Sequence, residues 1–142
     1  MAEPRLLEIP LRRLLLAGLA AALAACAQTP PGCRDATVSR LYLGRDSPRG
    51  DVAEAAWDDF VAEVVSPRFP AGFTTFDARG QWRADNGQLL HEASRVVEVV
   101  HDGDAAALAA IDAIGAEYRR RFDQEAVLVT HGALQSCLQF SR

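Results

Sequence analysis

Residues 73–101 read FTTFDARGQWRADNGQLLHEASRVVEVVH, and their reading decides the fold. Two strand-favouring stretches, Phe73 to Arg83 and Leu89 to His101, flank the turn Ala84-Asp85-Asn86-Gly87-Gln88. Asn-Gly is a strong hairpin signal because both central residues of a two-residue turn take positive φ. A turn centred on Asn86-Gly87 sets Asp85 opposite Gln88, Trp82 opposite His91, Gln81 opposite Glu92, Arg79 opposite Ser94 and Phe76 opposite Val97. Strand alternation then sorts two faces. One carries Phe76, Ala78, Gly80, Trp82, Ala93, Val97 and Val99 and is expected to pack on helices. The other carries Thr75, Asp77, Arg79, Gln81, Arg83, Glu92, Ser94 and Glu98, with Val96 and Val100.

Helices are expected on either side of this hairpin. Asp51 precedes Glu54 by three, a capping-box spacing. After it Val52, Ala56, Trp57, Phe60, Val61, Val64 and Val65 fall on one helical face, and Pro67 and Pro70 end the helix. Downstream, His101-Asp102-Gly103-Asp104 is a turn in which Asp104 can cap the next helix. Leu108, Ile111, Ile114 or Gly115, Tyr118 and Phe122 mark the buried face of that helix. Arg119, Arg120 and Arg121 lie at its C-terminal end, where the helix dipole favours cations. Outermost are two more strands, Thr37 to Arg45, whose outward residues Arg40 and Tyr42 extend the polar face, and roughly Ala126 to Phe140, with a bend expected at Gly132.

The order β-α-β-β-α-β is the split βαβ, ferredoxin-like pattern of an α+β domain: a four-stranded antiparallel sheet with both helices on one face. Its usual strand order, 4-1-3-2, puts the end of strand 4 beside the start of strand 1. Cys137 and Cys33 stand at those two places. In an oxidising compartment such a pair is expected to form a disulfide. Zinc is the rival use of the pair, and no CxxC or HxxxH spacing supports it.

The N-terminus supplies the compartment. Arg12-Arg13 is followed by an uncharged apolar run, Leu14 to Ala25, of 12 residues, and then by Cys26. A basic start, a short apolar core and small residues before a cleavage point make a secretory signal peptide. Leu23-Ala24-Ala25-Cys26 resembles a lipobox, in which the Cys is acylated (with palmitate among its fatty acids) and becomes the new N-terminus. A transmembrane helix is the other reading, but a span needs roughly 20 residues. Twin-arginine export is a third. The expected organisation is residues 1–25 signal peptide, 26–36 lipidated Cys26 and tether, and 37–142 one domain. The protein would then be extracytoplasmic and anchored to a bacterial membrane by lipid, the outer membrane in a Gram-negative host.

Cleavage before Cys26 removes Arg5, Arg12 and Arg13 with Glu3 and Glu8, leaving 117 residues with 12 Arg against 17 acidic residues. That length suits one domain with its own core. The acidic balance, with no basic stripe, speaks against nucleic acid as a partner. The chain has no GxSxG, HExxH or Gly-rich phosphate loop. His91, His101 and His131 each stand alone in sequence, so no catalytic group, metal or cofactor is assigned.

Several motifs carry a family resemblance. They are Leu41-Tyr42-Leu43-Gly44-Arg45, Pro67-Arg68-Phe69-Pro70-Ala71-Gly72-Phe73, Asp77-Ala78-Arg79-Gly80-Gln81-Trp82-Arg83, Glu92-Ala93-Ser94-Arg95 and Phe122-Asp123-Gln124-Glu125-Ala126-Val127-Leu128. Together they resemble a bacterial family of small lipoproteins of unknown function, over roughly Leu41 to Phe140. Relatives usually place Pro-Ser-Lys after the Glu, where this chain has Ala93-Ser94-Arg95; Arg keeps the charge and changes the geometry. The resemblance implies no activity. It draws attention to Arg79, Gly80, Gln81, Trp82, Glu92, Ser94, Gln124 and Glu125.

The polar face can be a solvated surface whose cross-strand ion pairs contribute a few tenths of a kcal/mol each. It can also be a binding surface built from Arg79, Gln81, Glu92, Ser94 and Tyr42. The expected function is a non-enzymatic, lipid-anchored domain that takes a small ligand or an envelope protein there. Two alternatives stand beside it: an enzyme of the dimeric α+β barrel type, disfavoured by a charged face, and a structural envelope protein.

Overall fold

The computed structural model describes residues 30–48, 50–83 and 86–138, and for Trp82 the backbone alone. The segment read as signal peptide, Cys26, and the turn residues Ala84 and Asp85 lie outside the described residues. The elements run β1 (Cys33–Gly44), α1 (Glu54–Phe60), a π-helical turn (Val61–Val65), β2 (Thr74–Arg83), β3 (Leu89–His101), α2 (Ala105–Phe122) and β4 (Leu128–Cys137). The sheet is antiparallel throughout, in the order β4-β1-β3-β2. This is the α+β class and the strand order anticipated from the sequence.

One face of the sheet meets the helices. Leu41 and Leu43 of β1 and Val97 and Val99 of β3 join Trp57, Phe60, Val64, Val65, Ile111, Ile114 and Tyr118 in a single core. Trp57, Phe60, Tyr118 and Phe122 form its aromatic part, with ring centroids 4.7 to 6.5 Å apart. Asp104 caps α2 as expected, accepting from the Ala107 N–H at 2.7 Å. Its buried face is Ile111, Ile114, Gly115 and Tyr118. After Phe60 the first helix widens: the Ser66 N–H reaches back five residues to Val61 O. The wider turn lets the consecutive Val64 and Val65 both be buried.

Four expectations need correction. First, Asp51 does not cap α1. The Val52 N–H bonds Arg45 O and the Val52 side chain enters the core, so the chain stays extended and the helix begins only at Glu54, after Ala53. Second, β1 begins at Cys33, within the stretch read as tether, so Cys33 pairs directly with Cys137 instead of preceding the strand. Third, β4 runs through Gly132 without a break, pairing Gly132 with Val38.

The fourth correction has the largest consequence. β2 pairs with β3 one residue away from the expected register: Arg83 faces Leu89, Gln81 faces His91, Asp77 faces Arg95 and Phe76 faces Val96. Gly87 has positive φ but Asn86 does not, so the turn is not the two-residue type. Instead the Asn86 side chain accepts the Gln88 N–H at 2.9 Å and the Arg83 guanidinium donates to Gly87 O at 2.9 Å. A slip of one residue turns a whole strand over relative to its neighbour. Thr75, Asp77, Arg79, Gln81 and Arg83 therefore lie on the helix side of the sheet. Phe76, Ala78 and Gly80 lie on the open side.

The Cys33–Cys137 disulfide joins residues 104 apart in sequence at the end of the β1–β4 ladder. Replacing both cysteines by Ala is expected to lower the unfolding free energy by about 4 to 5 kcal/mol, the loop entropy of a closure of this length. Urea unfolding of the two proteins under oxidising conditions measures the difference; a loss below about 1 kcal/mol means the bridge contributes little.

Candidate functional site

The register divides the five residues singled out from the sequence. Tyr42, Glu92 and Ser94 stand on the open face. Arg79 and Gln81 stand on the opposite face, exposed, where Arg79 pairs with Ala93 and Gln81 with His91. The expected cluster of Arg79, Gln81, Glu92 and Ser94 therefore does not exist as one surface.

A smaller group does come together, at the end of β1. Gly44 pairs with Ser94 there, and Glu92 lies one step further along the same face. A side chain on Gly44 would fall on Glu92 Oε1 and would come within 2.9 Å of Gln124 Oε1. The two acceptor oxygens thus occupy the space that a side chain on Gly44 would need. Gln124 reaches this point from beyond α2: Asp123 takes the left-handed conformation that ends the helix, and Gln124 Nε2 donates to Asp46 O at 2.6 Å. Glu92 is half-buried and Ser94 is 8% exposed. The side chains of Tyr42, Glu92 and Ser94 make no hydrogen bond or ion pair with any described residue. A half-buried carboxylate with no partner among the described residues is a candidate contact. Gln124 was visible in the sequence only through the family motif, since nothing in its spacing brings it to Glu92.

The neighbouring charges belong to the opposite face. Arg95 donates to Glu54, stands 3.3 Å from Asp77 and lies over the Trp57 ring at 5.0 Å. That hydrogen bond holds the Glu54 carboxyl below its usual range and raises Arg95 further. Arg95 thereby ties β2 and β3 to α1 and is a structural residue.

The histidines are not all alone. Ser39, fully buried on β1, has its Oγ 2.7 Å from His101 Nε2 and 2.7 Å from His131 Nδ1. The Gly103 N–H donates to His101 Nδ1 at 3.0 Å, so Nε2 carries that ring's hydrogen and donates to Ser39, whose hydroxyl donates onward to His131. Sequence reading missed this trio because its members sit on three strands. The burial of Ser39 bars it from substrate, so the arrangement satisfies polar groups and is not a nucleophile with its base. Among the described residues no cluster of three His, Cys, Asp or Glu could hold a metal ion, and no helix is long and apolar enough to cross a membrane.

A groove of about 530 Å³ opens at the other end of the open face, lined by Arg34, Thr74, Glu98, Val100, Ser136 and Leu138 among others. Its charged groups are already paired, Arg34 with Asp102 and Glu98 with Arg40. The unpartnered chemistry is at Glu92.

A family model described as "Protein of unknown function (DUF3574)" matches residues 38–140. The chain belongs to that family. The matched region takes in β1 from Val38 onward and every later strand, and with them Tyr42, Gly44, Glu92, Ser94 and Gln124. No curated protein sequence matches the chain. In structure the DUF3574 domain is similar to a phage SAM lyase in complex with S-methyl-5'-thioadenosine, at TM-score 0.53 and 18% identity over 75% of this chain and 93% of the lyase. The same lyase in its apo state gives TM-score 0.52 and 17% identity over 76% and 94% of the two chains. At that identity the likeness is one of fold.

Tyr118 couples this end of the sheet to the core. It is fully buried and its hydroxyl donates to Gly44 O at 2.8 Å. Burial pushes its phenol up to about 12. Unfolded, the group ionises near 10, so between these values the unfolded chain has lost a proton that the folded one keeps, and stability falls as pH rises. The loss is expected to reach about 2 to 3 kcal/mol by pH 12, relative to Tyr118→Phe, which lacks the group. The Phe variant in turn is expected to be about 1 kcal/mol less stable at neutral pH. Urea titrations of both proteins from pH 7 to 12 test the crossing; parallel pH profiles would refute the assignment.

Proposed function

We propose that this DUF3574 protein is a lipid-anchored, extracytoplasmic domain that binds a small ligand on the open face of its sheet, at Glu92. The observation that carries the reading is the close approach of the Glu92 and Gln124 oxygens over Gly44, beside the hydroxyls of Ser94 and Tyr42, which have no partner among the described residues. Two acceptor oxygens, one of them charged, suit a ligand that presents hydroxyl, amino or cationic groups. Tyr42 and Leu128, paired across β1 and β4 beside the site, offer an apolar flank for a ring. The anchor rests on the basic start, the short apolar run and Cys26.

A second reading is an enzyme. It is favoured by the same free carboxylate, which is the kind of group a general base requires, together with the fold shared with a lyase. Fold alone does not transfer chemistry, so binding is the first reading.

S-methyl-5'-thioadenosine, the compound held by the structurally similar lyase, carries hydroxyl and amino groups and a ring, and is the first probe. Calorimetric titration of the full chain in detergent is expected to give binding that Glu92→Gln weakens at least tenfold without shifting Tm. Native mass spectrometry of protein extracted from its own membrane is expected to show any retained small molecule on the wild type and not on the variant. Absence of both signals, or equal signals in the two proteins, would remove Glu92 as the site. For the anchor, Cys26→Ser is expected to move the protein from the membrane to the soluble fraction and to abolish the acyl mass; an unchanged distribution would refute lipidation at Cys26.

A further inference from the structure

We infer that the open sheet face is an interface with a second copy of this chain, sheet against sheet. The face is built in rows that cross the strands. Leu128, Tyr42, Val96 and Phe76 form one row across all four strands. The next row is Thr130, Arg40, Glu98 and Thr74, and the one after it Gly132, Val38 and Val100. An ionic row thus lies between two apolar rows.

Large apolar side chains that remain exposed gather on this face: Phe76 (45%), Val100 (42%) and Leu128 (61%), with Leu138 (72%) at its groove. Leu89 (41%) is the exception among the described residues, on the other side of the sheet. Apolar surface concentrated in one patch marks an interaction site, whereas scattered residues do not.

Two features commit the occupant to a second copy. The middle row holds the ion pair Arg40–Glu98, with 2.5 Å between Nε and Oε2, and no other charge. It is neutral and complementary to itself. A two-fold operation that superposes the middle row on its copy lays apolar row on apolar row and brings Arg40 of each chain beside Glu98 of the other, as an isologous interface requires. The size also fits. Four strands spaced about 4.8 Å apart and about ten residues long give a footprint of roughly 650 Å², of the same order as the roughly 800 Å² that each partner buries in a stable interface.

Packed sheets lie about 10 Å apart, so the partner would roof the Glu92 site. This last element rests on the ligand reading above; the interface does not.

The test is the mass of the full chain in detergent by native mass spectrometry, together with photo-cross-linking from benzoylphenylalanine placed at Phe76 in the cell. The wild type is expected to be a dimer and to cross-link to a band of twice the chain mass. Phe76→Arg with Val100→Arg is expected to give a monomer of unchanged Tm, and Leu89→Arg, equally exposed on the other side, to stay dimeric. Should the first variant fail to fold, Arg40→Glu is expected to dissociate the dimer and Arg40→Glu with Glu98→Arg to restore it. A monomeric wild type, a cross-link to another protein, or dissociation by Leu89→Arg would each overturn the interface. Glu92→Gln is expected to remain dimeric while losing S-methyl-5'-thioadenosine, so loss of ligand with the dimer intact strikes only the ligand reading. Retention of ligand by the folded monomeric variant would overturn the roof.

Discussion

The pairing of Asp77 with Arg95 and of Phe76 with Val96 is the constraint on which the rest of this domain's chemistry depends. Side chains alternate with a period of two, so this register alone decides which half of β2 faces the helices and which faces outward. It sets Asp77 beside Arg95, and Arg95 is held over Trp57 and against Glu54 of the first helix. The pairing therefore joins the edge strand to the helical layer through one guanidinium. Shifted by a residue, the carboxylate of Asp77 would face the side without helices and Arg95 would lose one of its two ion-pair partners. The ion pairs are partly exposed, and each contributes modestly. Their weight lies in choosing one register over another that the alternating sequence of β2 would almost equally allow.

That choice changes what the outer surface is. With Arg79, Gln81 and Arg83 turned to the helix side, the open face keeps a balanced set of charges and gains Phe76. A face expected to be mainly ionic becomes a banded one. The objection that a charged sheet disfavours packing against another sheet loses its force, because the charges that remain on the middle row are paired with each other. The Ser39 trio is the counterpart on the covered side: a polar group placed among apolar neighbours, kept there because both histidines satisfy it.

Much of the architecture was legible because its signals are local. The second helix is capped by Asp104 and repeats its apolar residues at helical spacing; the breaks at Pro67 and Gly103 are equally plain. Strand order followed from element order, and the cysteine pair agreed with it independently. What escaped was each feature set by contact between distant segments. Asn86-Gly87 resembles a two-residue turn, but the hydrogen bonds of the Asn86 and Arg83 side chains favour a longer loop, and the register moved with it. Val52 is drawn into the core, which delays the helix past the capping box that Asp51 and Glu54 spell. The candidate site was half legible: Tyr42, Glu92 and Ser94 hold their face because β3 was read in the right phase, whereas Arg79 and Gln81 fail with the phase of β2. Gln124 could not be placed from spacing at all, since it arrives through the left-handed turn at Asp123.

Gly44 is where core and site meet. Its neighbour Leu43 is fully buried under the helices, and its own carbonyl accepts the Tyr118 hydroxyl from the second helix. Its missing side chain leaves the volume into which Glu92 and Gln124 project from the other side of the same strand. A larger residue would have to displace a carboxylate and a carboxamide, one of them tied to Asp46 O. The glycine does not serve a turn, because its φ is not positive. It serves a close approach, and the groups that approach are oxygens with unused hydrogen-bonding capacity. Any side chain here would gain strand propensity, so the glycine is kept for the two side chains that take its place. The close approach is therefore best understood as what brings these two oxygens together at one point of the sheet.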